Sequence, residues 1–197
     1  MSEFTAIRAV TKTLRALLED HITNSTDLQL NGVPIELHSP KEMRAAPPKS
    51  GVSLWLYRAT RNGDTLNGAP IRIAPDEELP RPLPIDLHYL VTPMTGTEED
   101  ERMLLGRVLQ SLNDHTVVRG SDLQDDLAGE DTQLRVNLEQ LTLEELTRVW
   151  TALEEPYQLS VSYQVQVVNI DTAHEPLRSS PVLVEDTEYD QIVEVLA

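Results

Sequence analysis

The run from Tyr157 to Val167 constrains this chain more than any other segment. Tyr157, Leu159, Val161, Tyr163, Val165 and Val167 fall on one side; Gln158, Ser160, Ser162, Gln164 and Gln166 fall on the other. A period of two over that length specifies a strand with one apolar face. At ~3.3 Å per residue it would extend about 35 Å, longer than most strands of a single domain. Its polar face holds no charge, whereas a solvated face usually carries Lys or Glu. That face is therefore expected to be covered by something.

A second strand is expected from Leu83 to Val91, where Leu83, Ile85, Leu87, Tyr89 and Val91 alternate with Pro84, Asp86, His88 and Leu90. A third spans Val52 to Thr60. There Val52, Leu54 and Leu56 share one face and Trp55 and Tyr57 the other, the pattern of a strand buried between two layers. Gln133 to Glu139 reads as a fourth.

Helices accompany these strands. Ile7, Val10, Leu14, Leu17 and Leu18 recur at helical spacing over residues 2–20, with Ser2 as the N-cap and Asn24-Ser-Thr as the end. Thr97 and Asp100 are spaced as a capping box, and Glu98, Glu99, Asp100 and Glu101 suit the positive end of a helix dipole. Leu104, Leu105, Val108, Leu109 and Leu112 would be that helix's buried stripe, and Gly106 within it suggests close backbone packing. Thr142 and Glu145 form a second capping box, with Leu141 and Leu146 placed as a hydrophobic staple. The short helix after it would bury Leu143, Leu146, Val149, Trp150 and Leu153 before Pro156 stops it.

Between these elements the pattern weakens. Asn31-Gly32 reads as a hairpin turn between Leu28–Leu30 and Pro34–Leu37. Residues 39–51, with three prolines, read as loop. From Arg61 to Pro82 the chain makes an irregular excursion with one weak strand at Ile71–Ile73, a place for contacts rather than core, with Arg61 and Arg72 as the candidates. Residues 119–131 are polar and expected to be exposed. After Asp171 the pattern is lost until Val182–Val184 and Tyr189–Leu196, whose composition is that of strands. The expected division is one domain over 1–172 and a C-terminal arm or extension over 173–197.

Composition excludes several function classes. Sixteen basic residues against 33 acidic leave a net charge of −17, and the arginines are scattered. Nucleic acid, which requires a clustered basic surface, and anionic membrane are poor partners for such a chain. No apolar run approaches the ~18 residues that span a bilayer, and the N-terminus has no signal-peptide pattern. Without cysteine there is no disulfide, thiolate metal site or thiol nucleophile. These features fit folding in the cytosol.

Residues for catalysis are equally sparse. Asp86 and His88, two apart on a strand, share a face. They read either as a polar pair hydrogen-bonding at the sheet surface or as two ligands of a metal-dependent hydrolase, with His115 or His174 as a third. The serines lack a nucleophile elbow, and no phosphate loop, dinucleotide fingerprint or zinc helix motif is present. A monomeric binding module is a further alternative. No catalytic residue and no cofactor is expected.

One resemblance ties the segments together. The order is an N-terminal helix, Leu54-Trp-Leu-Tyr-Arg, an excursion, and Leu83-Pro-Ile-Asp-Leu-His-Tyr-Leu-Val-Thr-Pro. Next come Leu105-Gly-Arg-Val-Leu-Gln-Ser-Leu-Asn-Asp-His and the Leu141-Thr…Trp150…Pro156-Tyr…Ser160-Val-Ser-Tyr-Gln-Val run. Over residues 1–172 it resembles the cap, or tail-terminator, proteins of contractile injection systems, which are phage-tail-like particles. The resemblance implies an α+β fold, a mixed and largely antiparallel sheet with helices packed on it. It implies a structural, non-enzymatic role: a ring, hexameric, at the end distal to the baseplate, assembled in the cytoplasm. The ring would sit on the last inner-tube ring and contact the last sheath ring, stopping polymerisation of both, in a particle released or membrane-anchored without direct insertion. The family's usual Asn-Pro turn is replaced here by Asn62-Gly-Asp. The candidate interface residues are Gln158, Ser160, Ser162, Gln164 and Gln166 on the uncharged strand face, Arg61 and Arg72 in the excursion, and Val182, Val184, Ile192 and Val193 in the arm. Residues 181–196 would either be donated as a strand to a sheath subunit or an adjacent cap protomer, or form a C-terminal strand packed on their own domain or a partly frayed tail.

Overall fold

The computed structural model describes residues 4–64, 71–74, 76–129, 132–173 and 175–178. Two compact units form, one from residues 1–67 and 82–172, the other from 68–81 and 173–197. In the larger unit the period-two runs become a six-stranded sheet. In chain order its strands are β1 (Ile35–Glu36), β2 (Gly51–Arg61), β5 (Leu83–Met94), β6 (Val117–Arg119), β7 (Gln133–Glu139) and β8 (Val161–Ile170). Their spatial order is β1-β2-β5-β8-β7-β6, antiparallel throughout except for the β1–β2 pair. The smaller unit holds β3 (Ile71–Ala74), β4 (Glu77–Leu79) and β9 (Leu177–Arg178), ordered β3-β4-β9. The fold is α+β.

The two faces of the large sheet are packed differently. On one face Val52, Leu54, Ile85, Leu87, Tyr89, Val91, Leu134, Val136, Tyr163 and Val165 form the main core with helix α1 (Ala6–Leu18) and helix α3 (Glu98–Asp114). Val10, Leu14, Leu17 and Leu18 come from α1, and Leu104, Val108 and Leu112 from α3. Each fully buried leucine contributes roughly 2 kcal/mol through the apolar area it removes from water. On the other face lies a smaller cluster. Leu90 packs with Trp150 and Leu153 of helix α4 (Leu143–Leu153), joined by Trp55, Tyr57, Leu146 and Val149. The split of Leu54 and Trp55 between two layers is as their alternation predicts.

Several local expectations are corrected. Asn31-Gly32 turns the chain, but no hairpin forms. Gly32 N–H bonds Thr23 O at 2.9 Å, tying the turn to the end of the N-terminal helix, and Ile35–Glu36 pairs in parallel with Val52–Ser53. The proline-bearing loop contains a short helix, α2 (Pro40–Arg44). Pro40 occupies its first turn, where no backbone donor is needed, and Ser39 and Glu42 close a capping box. Thr97 does not form the expected box, since its hydroxyl donates to Asp100 without capping backbone. Glu101 instead accepts from the N–H groups of Thr95 and Gly96 at 3.1 and 3.2 Å. A methyl on Gly106 would meet open space, so close packing is not why glycine stands there. Within 119–131, Leu123 and Leu127 are buried in the main core, held by a hydrogen bond from the Gln124 N–H to Thr13 Oγ1 (3.0 Å) and by Lys12 and Arg8 on Asp125. Those two cations hold the Asp125 carboxyl below its ordinary range. In α4, Leu143 is exposed rather than buried. The run from Tyr157 starts as a strand only at Val161, leaving Tyr157 and Leu159 half exposed.

Candidate assembly surface

The sheet face that carries α4 is only partly covered by it, and the rest is polar. Two register shifts border this polar region, between Leu56 and Arg58 on β2 and between Ile85 and Leu87 on β5. Extra residues at such shifts bend a strand and re-aim its side chains. Asp86 and His88 do share this face, as their spacing requires, but they bond to other residues and not to each other. His88 Nδ1 lies 2.9 Å from Glu139 Oε1 and Nε2 lies 2.9 Å from Thr60 Oγ1. A carboxylate can only accept, so Nδ1 carries the proton.

Glu139 is the hub of this group. Ser162 Oγ donates to its Oε2 at 2.6 Å, and the Tyr57 hydroxyl lies 3.3 Å from the same oxygen and 3.0 Å from Ser162 Oγ. Burial pushes the Tyr57 hydroxyl's pKa up, opposed by its bond to Ser162. The serine hydroxyl is directed at the carboxylate rather than at the imidazole.

Asp86 anchors a second network made of amides. Asn62 Nδ2 donates to both its oxygens at 3.1 Å, and Gln164 Nε2 donates to Oδ2 at 3.1 Å. Gln164 Oε1 then accepts from Gln166 Nε2 at 3.2 Å, and Gln166 Oε1 accepts from Asn137 Nδ2 at 3.2 Å. The ladder thus runs from the end of β2 across β5 and β8 to β7, each amide satisfying the next. All the polar atoms of the Asp86–His88 pair are engaged by Asn62, Gln164, Thr60 and Glu139, which is the hydrogen-bonding reading of that pair, although the pair is buried. Among the described residues no three His, Asp or Glu side chains are grouped to hold a metal, and no helix is long and apolar enough to cross a membrane.

The uncharged side of the Tyr157–Val167 run is covered partly from within the chain. Ser160 accepts from Trp150 Nε1 at 3.3 Å and is buried under α4, as is Ser162 between Tyr57 and Glu139. Gln158 donates to Pro93 O at 2.8 Å and accepts from Arg44 Nη2 at 2.5 Å. Gln164 and Gln166 are half exposed. Arg61 is exposed at the end of β2. In the smaller unit Arg72 pairs with Glu78 at 3.1 Å across β3 and β4. Val182, Val184, Ile192 and Val193, and with them the proposed arm, lie outside the described residues. Sequence reasoning missed Glu139 and Asn137. The alternation of Gln133–Glu139 puts them on one face, but nothing in it pairs that face with Gln164 or His88.

A family model, the Pvc16 N-terminal domain, matches residues 9–183. No curated protein sequence matches the chain. Among solved structures it is similar to the PVC sheath/tube terminator of an extracellular contractile injection system, in its extended state. That match has 19% identity and a TM-score of 0.62 over 97% of this chain and 65% of the other. It is also similar to the tube-terminating cap of the anti-feeding prophage, with 18% identity and a TM-score of 0.58 over 96% of this chain and 62% of that one. The chain spans less than two thirds of the length of either structure. The fold is that of these terminators, and the chain belongs to the Pvc16 N-terminal domain family.

Proposed function

We propose that this protein is a structural cap of a contractile injection particle. It forms a ring, hexameric, that seats on the last ring of the inner tube, meets the last ring of the sheath and ends the growth of both. The observation that carries the reading is the family match over residues 9–183 on a fold shared with a sheath/tube terminator and a tube-terminating cap. The strongly acidic charge supports it by disfavouring nucleic acid and anionic membrane as partners. The particle is assembled in the cytoplasm before release or anchoring.

Within that role the half-exposed part of the amide ladder, Gln164 and Gln166, is a contact surface for a neighbouring protomer or the tube. Its amides already satisfy one another, so burying them costs less than burying charges. Gln164→Lys is expected to disrupt oligomers while the monomer stays folded; intact oligomers would assign the ladder to the chain's own fold. The residues at 181–196 serve as an arm toward a sheath subunit or an adjacent protomer, and deleting 177–197 is expected to abolish sheath attachment but leave the ring. The decisive test is negative-stain imaging of the protein with co-expressed tube and sheath proteins. Rings at tube ends and tubes of bounded length support the reading; unbounded tubes with no bound protein overturn it.

A further inference from the structure

The outer side of α4 carries a second unassigned surface. Trp55, Tyr57 and Arg58 of β2 line a groove of 450 Å³ with Leu141, Arg148 and Val149. On the far side of Arg148 the helix is open as well, and Leu143 there is 67% exposed. Arg58 is exposed and its guanidinium makes no hydrogen bond or ion pair among the described residues. Arg148 bonds only Glu144 on its own helix, at 2.7 Å, through two side chains that are both mainly in solvent; such an exposed pair is weak. Glu145 is the groove's one carboxylate, and it is occupied by the N–H and hydroxyl of Thr142 at 2.8 Å each. The groove is therefore aromatic and apolar and carries two guanidiniums against one carboxylate of its own lining, on a chain of net charge −17. Trp, Tyr and Arg around a desolvatable pocket are the residue types that concentrate binding energy at protein interfaces.

The same chain carries the complementary surface elsewhere. Beyond α4, Tyr157 and Leu159 stand 46% and 51% exposed beside the first turn of α3. Four carboxylates crowd that turn. Asp100 is engaged by Thr97 and Glu101 by the Thr95 and Gly96 amides, which leaves Glu98, shared only with exposed Arg102, and Glu99. An apolar knob beside the acidic first turn of α3 faces solvent at one place, and an apolar groove flanked by two exposed guanidiniums faces it at another.

We infer that these two surfaces bind each other between copies of this chain, the Tyr157/Leu159 knob with Glu98 and Glu99 of one protomer entering the Trp55–Tyr57–Arg58–Arg148 groove of the next. Because the two surfaces differ, the contact is head-to-tail and repeats, and it closes into a ring when the rotation between protomers closes. The inference rests on the ring reading above and supplies the contact that builds the ring.

Charge exchange tests it. The double variants R58E/R148E and E98R/E99R are each expected to abolish rings in light scattering and negative stain, and the milder R58Q/R148Q to raise the concentration at which they form. All four of the reversed residues are on the surface, so each variant should keep the circular dichroism of the folded chain, with melting lowered only modestly by the reversed i,i+4 pairs and, at Glu98 and Glu99, by the helix dipole. The four-fold variant, with both sides reversed, is expected to restore the rings. Rings unaffected by either double, or not restored by the four-fold exchange, overturn this contact while leaving the ring reading in place. A chain that forms no ring alone or on tube ends overturns both.

Discussion

His88 and Glu139 meet across an intervening strand: the imidazole Nδ1 lies 2.9 Å from Glu139 Oε1, although β8 separates their strands in the sheet. The bridge passes over Ser162, which donates to the second carboxylate oxygen at 2.6 Å. Three strands are thereby held in one register by side chains in addition to their backbone ladders. Both partners are largely buried, so removing one strands the other.

Glu139→Ala is expected to destabilise the fold by about 3 kcal/mol, the usual cost of leaving one member of a buried hydrogen-bonded pair alone. His88→Ala should cost a similar amount, and the double variant much less than the sum. Chemical denaturation of the four proteins gives the coupling directly; an additive double variant would mean that the two groups do not act as a pair.

Two glycines should respond in opposite directions to alanine. Gly51 opens β2 at φ 146°, and a Cβ there would lie 2.4 Å from the Pro34 carbonyl oxygen, the acceptor of the Val52 amide. Gly51→Ala is expected to lose about 2 kcal/mol, through backbone strain and displacement of the β1 segment. Gly106 lies exposed in the middle of α3 with open space around it. Gly106→Ala is expected to gain about 1 kcal/mol from helix propensity. Melting temperatures that move the same way for both would contradict this.

Thr92 is fully buried in β5, and its hydroxyl has no hydrogen-bond partner among the described residues. A desolvated and unpaired hydroxyl costs stability that valine, of the same shape, does not. Thr92→Val should stabilise the protein by about 1 kcal/mol in urea unfolding, with an unchanged m-value. A destabilised variant would point to a partner for that hydroxyl.

Acid should loosen α2 and α4 at their starts. The backbone amides of Ser39 and Thr142, followed by their hydroxyls, hold the Glu42 and Glu145 carboxyls below the usual 4.5. A carboxyl depressed in the folded state favours folding fully above its unfolded value, and that contribution disappears as pH falls through the lower folded one. Wild-type stability should therefore decline below about pH 4.5 more steeply than that of Glu145→Gln, whose amide does not titrate in this range. Equal slopes from pH 6 to pH 3 would remove Glu145 from the account.

Legibility in the sequence followed the range of the interaction. The strands at Val52, Leu83 and Gln133 and the Thr142/Glu145 box could be read because alternation and capping act between residues two to four apart. The same reasoning failed at Pro40, where one proline begins a helix instead of preventing it, and at Leu143, whose helical spacing says nothing about whether a neighbour covers it. It failed at Leu123 and Leu127 too, since their burial depends on α1 lying more than a hundred residues earlier in the chain.

The sequence by itself determined the α+β class, the two-layer exposure of the Trp55 strand, the family resemblance and the uncharged side of the run from Tyr157 to Val167. Only the tertiary structure decided what meets that side. The strand order brings β7 beside β8 and α4 over its first half, so Ser160 and Ser162 are closed off by Trp150, Tyr57 and Glu139. Gln164 and Gln166 join Asp86 and Asn137 in an open ladder. The physical reason is that periodicity fixes which way a side chain points, whereas the group it meets is set by strand order and helix packing between segments far apart in the chain.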